Sequence, residues 1–234
     1  YIGGRGIISF GENLASLDNT QDVGNTMVNS FASLNDGRVV AVGGFYAINF
    51  IYGNILTKSQ NSNTWSSLAD SLIPFGFITD VITTNSNTIL YCISSCRFCY
   101  AGINRINFDT PTKDSLLKIA EYGMKSLSKS GSIIVSVGRN TEDIARSTNS
   151  GASWSMQAAP NNAVLNDVAM ISPTTGYACG DGGVLLITED GGQTWSALQS
   201  GTTKNLNSIF FPTSTVGYAV GENGTIVKID LGGN

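Results

Sequence analysis

Two segments near the C-terminus of this chain repeat each other at an offset of 41 residues. Residues 165–168 (LNDV) and 176–183 (GYACGDGG) return as residues 206–209 (LNSI) and 217–224 (GYAVGENG). Short apolar segments separated by glycine turns, repeating at this period, are typical of a β-propeller in which each repeat forms one four-stranded blade. The repeat therefore predicts an all-β protein, and it leaves the function open.

Three weaker copies precede these two. Each copy reads apolar, polar, Ser or Asp, apolar, and a second β-type run follows about ten residues later. The five copies lie at residues 28–31, 78–81, 124–127, 165–168 and 206–209. We predict one inner strand per copy and hence five blades in a single domain spanning 1–234. The blade boundaries are about 27–76, 77–123, 124–164, 165–205, and 206–234 together with 1–26.

The two chain ends are expected to close the ring. The last copy stops after its third strand, and residues 12–18 resemble a fourth, outer strand. Pairing of these N- and C-terminal strands would complete one blade and remove two open sheet edges. Residues 1–10 resemble another third strand and fit this scheme poorly, so a six-bladed ring is the alternative.

Two turns share a second pattern, Ser/Thr-x-Asp/Asn-x-Gly-x-x-Trp, at residues 147–154 and 188–195. The Asp or Asn is expected to accept backbone N–H groups, the Gly to allow positive φ, and the Trp to pack beside the strands. The predicted structural residues are Asn149, Gly151, Trp154, Asp190, Gly192 and Trp195. The pattern resembles the Asp-box, or BNR, repeat of sialidases and many unrelated propellers.

The block Gly-Tyr-Ala-x-Gly-x-x-Gly, followed by Asp-x-Gly-Gly, is similar to one branch of Asp-box proteins. This branch comprises propellers related to the photosystem II stability/assembly factor and is common among exported bacterial proteins. The resemblance is strongest over 165–230, weaker over 124–164 and weakest before that. It implies a propeller with a scaffold or assembly role.

Composition excludes several functions. The net charge is -4 with no basic run, which argues against a nucleic-acid partner. No apolar run reaches the ~18 residues of a membrane span. The chain has no His, so the common catalytic triads and zinc sites lack a ligand or base, and we predict no metal and no cofactor. Because the chain begins at Tyr1 without Met, we expect a processed, secreted or periplasmic protein.

Asp80 and Asp167 are the catalytic candidates, since two carboxylates facing one cleft could hydrolyse a glycoside. Both occupy the third position of the inner strand, where Ser stands in the other copies. The competing interpretation is that this position holds a small polar group that bonds to a neighbouring strand. The arginines lack the sequence context of a sialidase. We therefore lean towards a protein without catalytic activity.

Contact with a partner is expected at the channel mouth or the exposed loops. Lys125 is one candidate, and the hairpin over residues 44–52 supplies aromatic candidates for glycan or protein contact. These are Phe45, Tyr46, Phe50 and Tyr52. The alternative is that the rings fill the interface between blades.

Cys92, Cys96 and Cys99 have the spacing of a radical-SAM cluster, but they fall in a predicted β-hairpin with no helices beside it. We predict one disulfide instead, Cys92–Cys99 or Cys96–Cys99, which implies an oxidising compartment. Cys179 is expected to be a buried free thiol.

These features together predict an exported, non-catalytic propeller that acts as a rigid binding, scaffold or assembly module. One alternative is a carbohydrate-binding or glycoside-hydrolysing propeller. Another is a subunit of an extracellular surface or fibre assembly. The oligomeric state is left open.

Overall fold

The computed structural model describes most of the chain. The described residues are 2–3, 5–10, 19–47, 50–62, 64–68, 73–74, 76–85, 87–95, 101–110, 112–119, 123–139 and 144–232. Regular structure in these ranges is β-strand with three short 3-10 turns, which confirms the all-β class. The chain forms two compact units, Tyr1–Gly123 and Met124–Asn234.

The first unit contains two antiparallel sheets. One has the order β1-β2-β3-β4-β5-β6, with β7 beside β5, and the other has the order β11-β10-β9-β8. The strands are β1 (Ile2–Gly3), β2 (Arg5–Phe10), β3 (Asn19–Ser33), β4 (Val39–Ala47), β5 (Phe50–Lys58), β6 (Ser66–Ser67), β7 (Ile73–Pro74), β8 (Gly76–Asn85), β9 (Thr88–Ser95), β10 (Ala101–Asn107) and β11 (Thr112–Ile119).

The second unit contains three antiparallel sheets, ordered β12-β13-β14-β15, β16-β17-β18-β19 and β20-β21-β22. The strands are β12 (Met124–Ser130), β13 (Ile133–Gly138), β14 (Ile144–Ser147), β15 (Ser155–Gln157), β16 (Leu165–Met170), β17 (Gly176–Gly180), β18 (Leu185–Thr188), β19 (Ser196–Leu198), β20 (Leu206–Phe210), β21 (Val216–Gly221) and β22 (Ile226–Asp230). The 3-10 turns are Pro160–Asn162, Asp181–Gly183 and Glu222–Gly224.

The N-terminal strands differ from the prediction. We assigned residues 1–10 to the last blade, but β2 pairs with β3 in the first sheet, with Phe10 opposite Asn19 and Ile7 opposite Asp22. The reason is the length of β3, which extends over 15 residues and so offers β2 an edge beyond the inner strand of the repeat. The predicted outer strand over 12–18 lies outside the described residues, so closure through the chain ends stays a prediction.

Every inner strand carries a β-bulge at the same repeat position. The register shifts fall between Val28 and Ser30, Ile78 and Asp80, Met124 and Ser126, Leu165 and Asp167, and Leu206 and Ser208. In a regular strand, residues three apart point to opposite faces. The extra residue of the bulge puts them on the same face. Leu165 and Val168, for example, lie in one buried cluster.

The cores of the second unit lie between consecutive sheets. One cluster joins the sheet of β12–β15 to the next sheet, through Val135, Val137 and Ile144 against Leu165 and Val168. A second cluster joins that sheet to β20–β22, again through both apolar residues of the inner strand. In both clusters, neighbouring sheets pack through residues at the same positions of the repeat, as the repeat predicts.

Candidate binding surface

Asp167 connects three inner strands of the second unit. Its Oδ1 accepts hydrogen bonds from the Ser126 hydroxyl at 2.6 Å and from the Val168 backbone at 2.9 Å. Its Oδ2 accepts from the Ser208 hydroxyl and the Ile209 backbone, both at 2.8 Å. Both carboxylate oxygens therefore serve as acceptors that fasten β12 and β20 to β16.

Asp80 has the same kind of partners in the first unit. The Ser30 hydroxyl donates to its Oδ1 at 2.6 Å, and so does the Val81 backbone at 2.8 Å. The bulged residue Asn29 adds a bond from its Nδ2 to the carbonyl of Ile78 at 2.8 Å. The third position of the inner strand thus alternates between serine donors and aspartate acceptors.

A polar cluster surrounds Lys125, the bulged residue of β12. Its ammonium donates to Oδ1 of Asn166, the bulged residue of the next inner strand. Asn166 in turn donates to Asp181 Oδ1 at 2.8 Å and to the carbonyl of Leu206 at 2.9 Å. Arg139 Nη2 lies 3.4 Å from Asp181 Oδ2. Burial lowers the pKa of Lys125, and the positive charge of Arg139 lowers it further.

The cluster continues onto the last sheet. Asn205 Oδ1 accepts the backbone N–H of Gly182 at 2.8 Å, and Asn205 Nδ2 donates to Glu222 Oε1 at 3.1 Å. A groove of about 740 Å³ lies beside these turns, with Asn161 and Ser200 in its lining. We call the set Lys125, Arg139, Asn166, Asp181, Asn205 and Glu222 the turn-end surface.

Three charged residues of the turn-end surface occupy the same position in three consecutive repeats. Arg139, Asp181 and Glu222 each follow the glycine that ends the second strand of the sheet. Arg139 and Glu222 are exposed, and Asp181 is half-buried. Sequence reasoning found Lys125 but missed the other five residues. The signal was present, because the repeat alignment places the three charged residues in one register.

The aromatic hairpin is formed by β4 and β5. Phe45 lies directly opposite Tyr52, and their rings stack at a centroid distance of 5.5 Å and an angle of 21°. Both side chains are half-buried. Tyr46 and Phe50 lie on the same two strands, and their side chains fall outside the described part of the molecule. The hairpin and Lys125 belong to different units, so each is a separate candidate.

The Asp-box turns have the expected local bonds. Asn149 Oδ1 accepts the Ser153 backbone N–H at 2.8 Å, and Asp190 Oδ1 accepts that of Thr194 at 2.8 Å. Gly151 and Gly192 have φ of 87° and 84°. The Trp154 indole donates to the carbonyl of Gly151 at 3.2 Å, and Trp195 packs on the neighbouring core.

The cysteines divide into two groups. Cys179 is a fully buried free thiol, as predicted, and burial is the main cause that raises its pKa to about 12. Cys92 is fully buried in β9, and Cys96 and Cys99 lie outside the described residues, so the disulfide stays a prediction.

Within the described ranges, no group of three or more His, Cys, Asp or Glu is placed to hold a metal. No helix there is long and apolar enough to cross a membrane.

The repeated sheets, the bulged inner strands and the Asp-box turns define a β-propeller of the Asp-box class. The sequence profile of the family described as "Photosynthesis system II assembly factor YCF48" matches residues 39–230, and this chain belongs to that family. Among curated proteins, no sequence match is found.

Solved structures give the same fold. The chain is similar to YCF48 from Cyanidioschyzon merolae, with a TM-score of 0.57 and 14% identity over 88% of this chain and 80% of that one. It is also similar to a chain in the crystal structure of a nidogen/laminin complex, with a TM-score of 0.62 and 11% identity over 91% of this chain and 80% of that one. At these identities the likeness shows the fold alone.

Proposed function

We propose that this protein is an exported, non-catalytic propeller that binds a protein partner during assembly of a larger complex. The observation that carries the proposal is the hydrogen bonding of the Asp167 carboxylate. Its two oxygens accept four hydrogen bonds from its own and neighbouring inner strands, so the carboxylate has a structural task. A general acid or nucleophile would need an oxygen that faces substrate.

We place the partner contact on the turn-end surface. Its exposed charges, Arg139 and Glu222, are held by neighbouring polar groups in fixed positions along three repeats. An ordered row of charges of both signs selects partners by electrostatic complementarity. Membership of an assembly-factor family supports a binding role of this kind.

The test is affinity capture with the tagged full chain from extracts of the source organism, followed by quantification of each captured protein. The variants R139E and E222K should lose the same partner. E189K is the matched control. Glu189 is an exposed acid that directly follows β18, at the end of this strand away from Asp181. Equal capture by E222K and the wild type would remove the turn-end surface from the proposal.

A carbohydrate-binding role is the second candidate, and the stacked pair Phe45–Tyr52 favours it. Aromatic rings on a hairpin can stack on sugar faces. A glycan array tests this directly. Saturable binding that F45A and Y52A abolish would support the carbohydrate role. Hydrolysis of a glycoside that D80N and D167N abolish would overturn the non-catalytic proposal.

A further inference from the structure

Lys125 and Asn166 bring an amine and a carboxamide into contact between two inner strands. The Lys125 ammonium donates to Oδ1 of Asn166, and the two residues lie on β12 and β16 of the second unit. Asn166 is only 8% exposed, and Lys125 is half-buried. The carbon Cγ of Asn166 is bonded to Oδ1 at about 1.2 Å, so a small torsional change of the lysine side chain brings Nζ against Cγ.

The repeat shows that this pairing is particular to two copies. In the five copies the bulged position holds Asn29, Thr79, Lys125, Asn166 and Asn207. Asn29 donates from its Nδ2 to the carbonyl of Ile78, on the next inner strand. Asn166 donates to the carbonyl of Leu206 in the same way. Asparagine can therefore perform the structural role of this position, and in sequence order only the third and fourth copies set a lysine beside an asparagine.

Asp181 lies beside the nitrogen of the Asn166 carboxamide. Its Oδ1 accepts a hydrogen bond from Asn166 Nδ2 at 2.8 Å, and its Oδ2 lies 3.4 Å from Arg139 Nη2. Lys125, Asn166 and Asp181 therefore form one continuous chain of hydrogen bonds. A carboxylate in contact with a leaving group can pass a proton to it.

The amine of Lys125 has to lose its proton before it can act as a nucleophile. Burial lowers the pKa of Lys125, and the positive charge of Arg139 lowers it further, while the negative charge of Asp181 acts in the opposite direction. The net lowering raises the uncharged fraction of the amine near neutral pH. Because the fold already holds the amine against the carboxamide, the two groups do not have to meet by diffusion.

We propose that Lys125 and Asn166 join in an intramolecular isopeptide bond. Nζ bonds to Cγ of Asn166, the bond between Cγ and Nδ2 breaks, and Nδ2 leaves as ammonia. One proton of Nζ passes to the leaving nitrogen through the Asp181 carboxylate. The lysine ammonium and the carboxamide thus become a secondary amide and an ammonium ion, and the step uses no oxidant or other co-reactant.

The bond links β12 to β16 and so ties two consecutive sheets of the second unit together. A covalent link of this kind restricts the unfolded chain and should make the two sheets harder to separate. The modification goes beyond the proposed function, because it requires no partner. Failure of either proposal leaves the other intact.

The experiment is intact mass measurement of the purified, folded full chain, followed by tryptic peptide mapping. We expect the mass to fall below that of the sequence by one ammonia. Trypsin should fail to cut after Lys125, because its side chain is acylated. Peptide 119–129 should therefore be recovered joined to peptide 147–204.

Three variants locate the chemistry. K125R keeps the positive charge and the donor but has no amine to react, so it should have the full mass of its sequence. D181N keeps both reacting residues and should form the cross-link about a hundredfold more slowly, since it lacks the carboxylate that moves the proton. K129R is the matched control, because Lys129 lies on the same strand, and it should be cross-linked like the wild type.

A wild-type chain that has its full sequence mass and is cut after Lys125 would overturn the proposal. A loss of ammonia that maps to another place, such as a succinimide at Asn223 and Gly224, would overturn it as well. Equal rates of cross-linking in D181N and the wild type would overturn the assignment of the proton transfer to Asp181.

Discussion

The hydroxyl of Ser126 donates a 2.6 Å hydrogen bond to the carboxylate of Asp167, which stands one repeat further along the chain. The opposite oxygen of the same carboxylate accepts from Ser208, one repeat further again. Ser and Asp alternate at this position because a hydroxyl can donate and a carboxylate can accept from two sides. The pair therefore fixes how consecutive inner strands approach one another.

Removal of the Asp167 carboxylate should destabilise the second unit. The variant D167A leaves the Ser126 and Ser208 hydroxyls and the N–H groups of Val168 and Ile209 without their acceptor. We expect a loss of about 3 kcal/mol in the free energy of unfolding, measured in urea. N207A is the control, since Asn207 is exposed on the same inner strand as Ser208, and it should change stability by less than about 0.5 kcal/mol. Similar stabilities for the two variants would contradict a structural role for Asp167.

Gly180 should resist substitution because of a close backbone approach. A Cβ built there would lie 2.0 Å from the carbonyl oxygen of Val164, and Gly221 meets Asn205 in the same way. G180A should cost about 2 kcal/mol or more, because the backbone of the bulge has to move. G182A separates this effect from φ strain, since Gly182 has φ of 67° with nothing within 4 Å of its Cβ position. Chemical denaturation should show a loss of only about 1 kcal/mol for G182A. A larger loss for G182A than for G180A would refute the steric explanation.

Much of the fold could be predicted from the sequence. The two clear repeats can be aligned with the three copies whose sequences have diverged, and this alignment locates the strands of the diverged copies. The inner strand at residues 78–81 was found in this way, and its bulge explains the apolar-x-x-apolar spacing. The path of residues 1–10 was predicted wrongly. Pairing of β2 with the extended part of β3 depends on the length of β3, which is the longest strand among the described residues.

The candidate site was predicted less well. Lys125 was identified, yet its partner Asn166 was treated only as part of the repeat. An asparagine in a bulge looks like a structural residue in the sequence, and its contact with Asp181 depends on the path of a separate turn. Arg139 and Glu222 are not marked as a site by any sequence motif. They lie at the same end of their sheets because each follows the glycine that ends the second strand.

Cys179 should make the protein sensitive to alkali. Burial, followed by the charge of Asp167, raises the pKa of this thiol to about 12 from its ordinary value of 9.0. The folded state therefore prefers the neutral thiol. Its contribution to stability is complete below pH 9 and is lost as the pH rises from 9 towards 12. The variant C179V should remove this part of the alkaline loss, and valine fits because Val137, which is also fully buried, holds the same position one repeat earlier.

Two measurements check the thiol. Thermal midpoints of the wild type and C179V, recorded from pH 8 to about 11, should diverge as the pH rises. Alkylation by iodoacetamide at pH 8.5 should modify Cys179 only after unfolding in urea, because the buried group is neutral and inaccessible. Rapid modification of the native protein would contradict this account.

Asp190 should make one Asp-box turn sensitive to acid. The hydrogen bonds from the Thr194 hydroxyl at 2.6 Å and from the Thr194 backbone at 2.8 Å lower the pKa of this carboxyl to about 2, against an ordinary value of 3.8. A lowered pKa stabilises the folded state above pH 4, and the contribution is lost as the pH falls towards 2. Because the side chain is exposed, solvent screening keeps the effect small.

The two Asp-box turns supply a matched pair of variants for this test, since Asn149 stands where Asp190 does. D190N should be less stable than the wild type above pH 4, and the difference should shrink towards pH 2, where about half of the wild-type carboxyl is protonated. N149D should show the reverse, because a carboxylate would accept the N–H of Ser153 in the same geometry. Thermal midpoints recorded between pH 2 and 6 measure both differences. Parallel pH profiles for the wild type and both variants would show that the charge of Asp190 adds nothing to the stability of its turn.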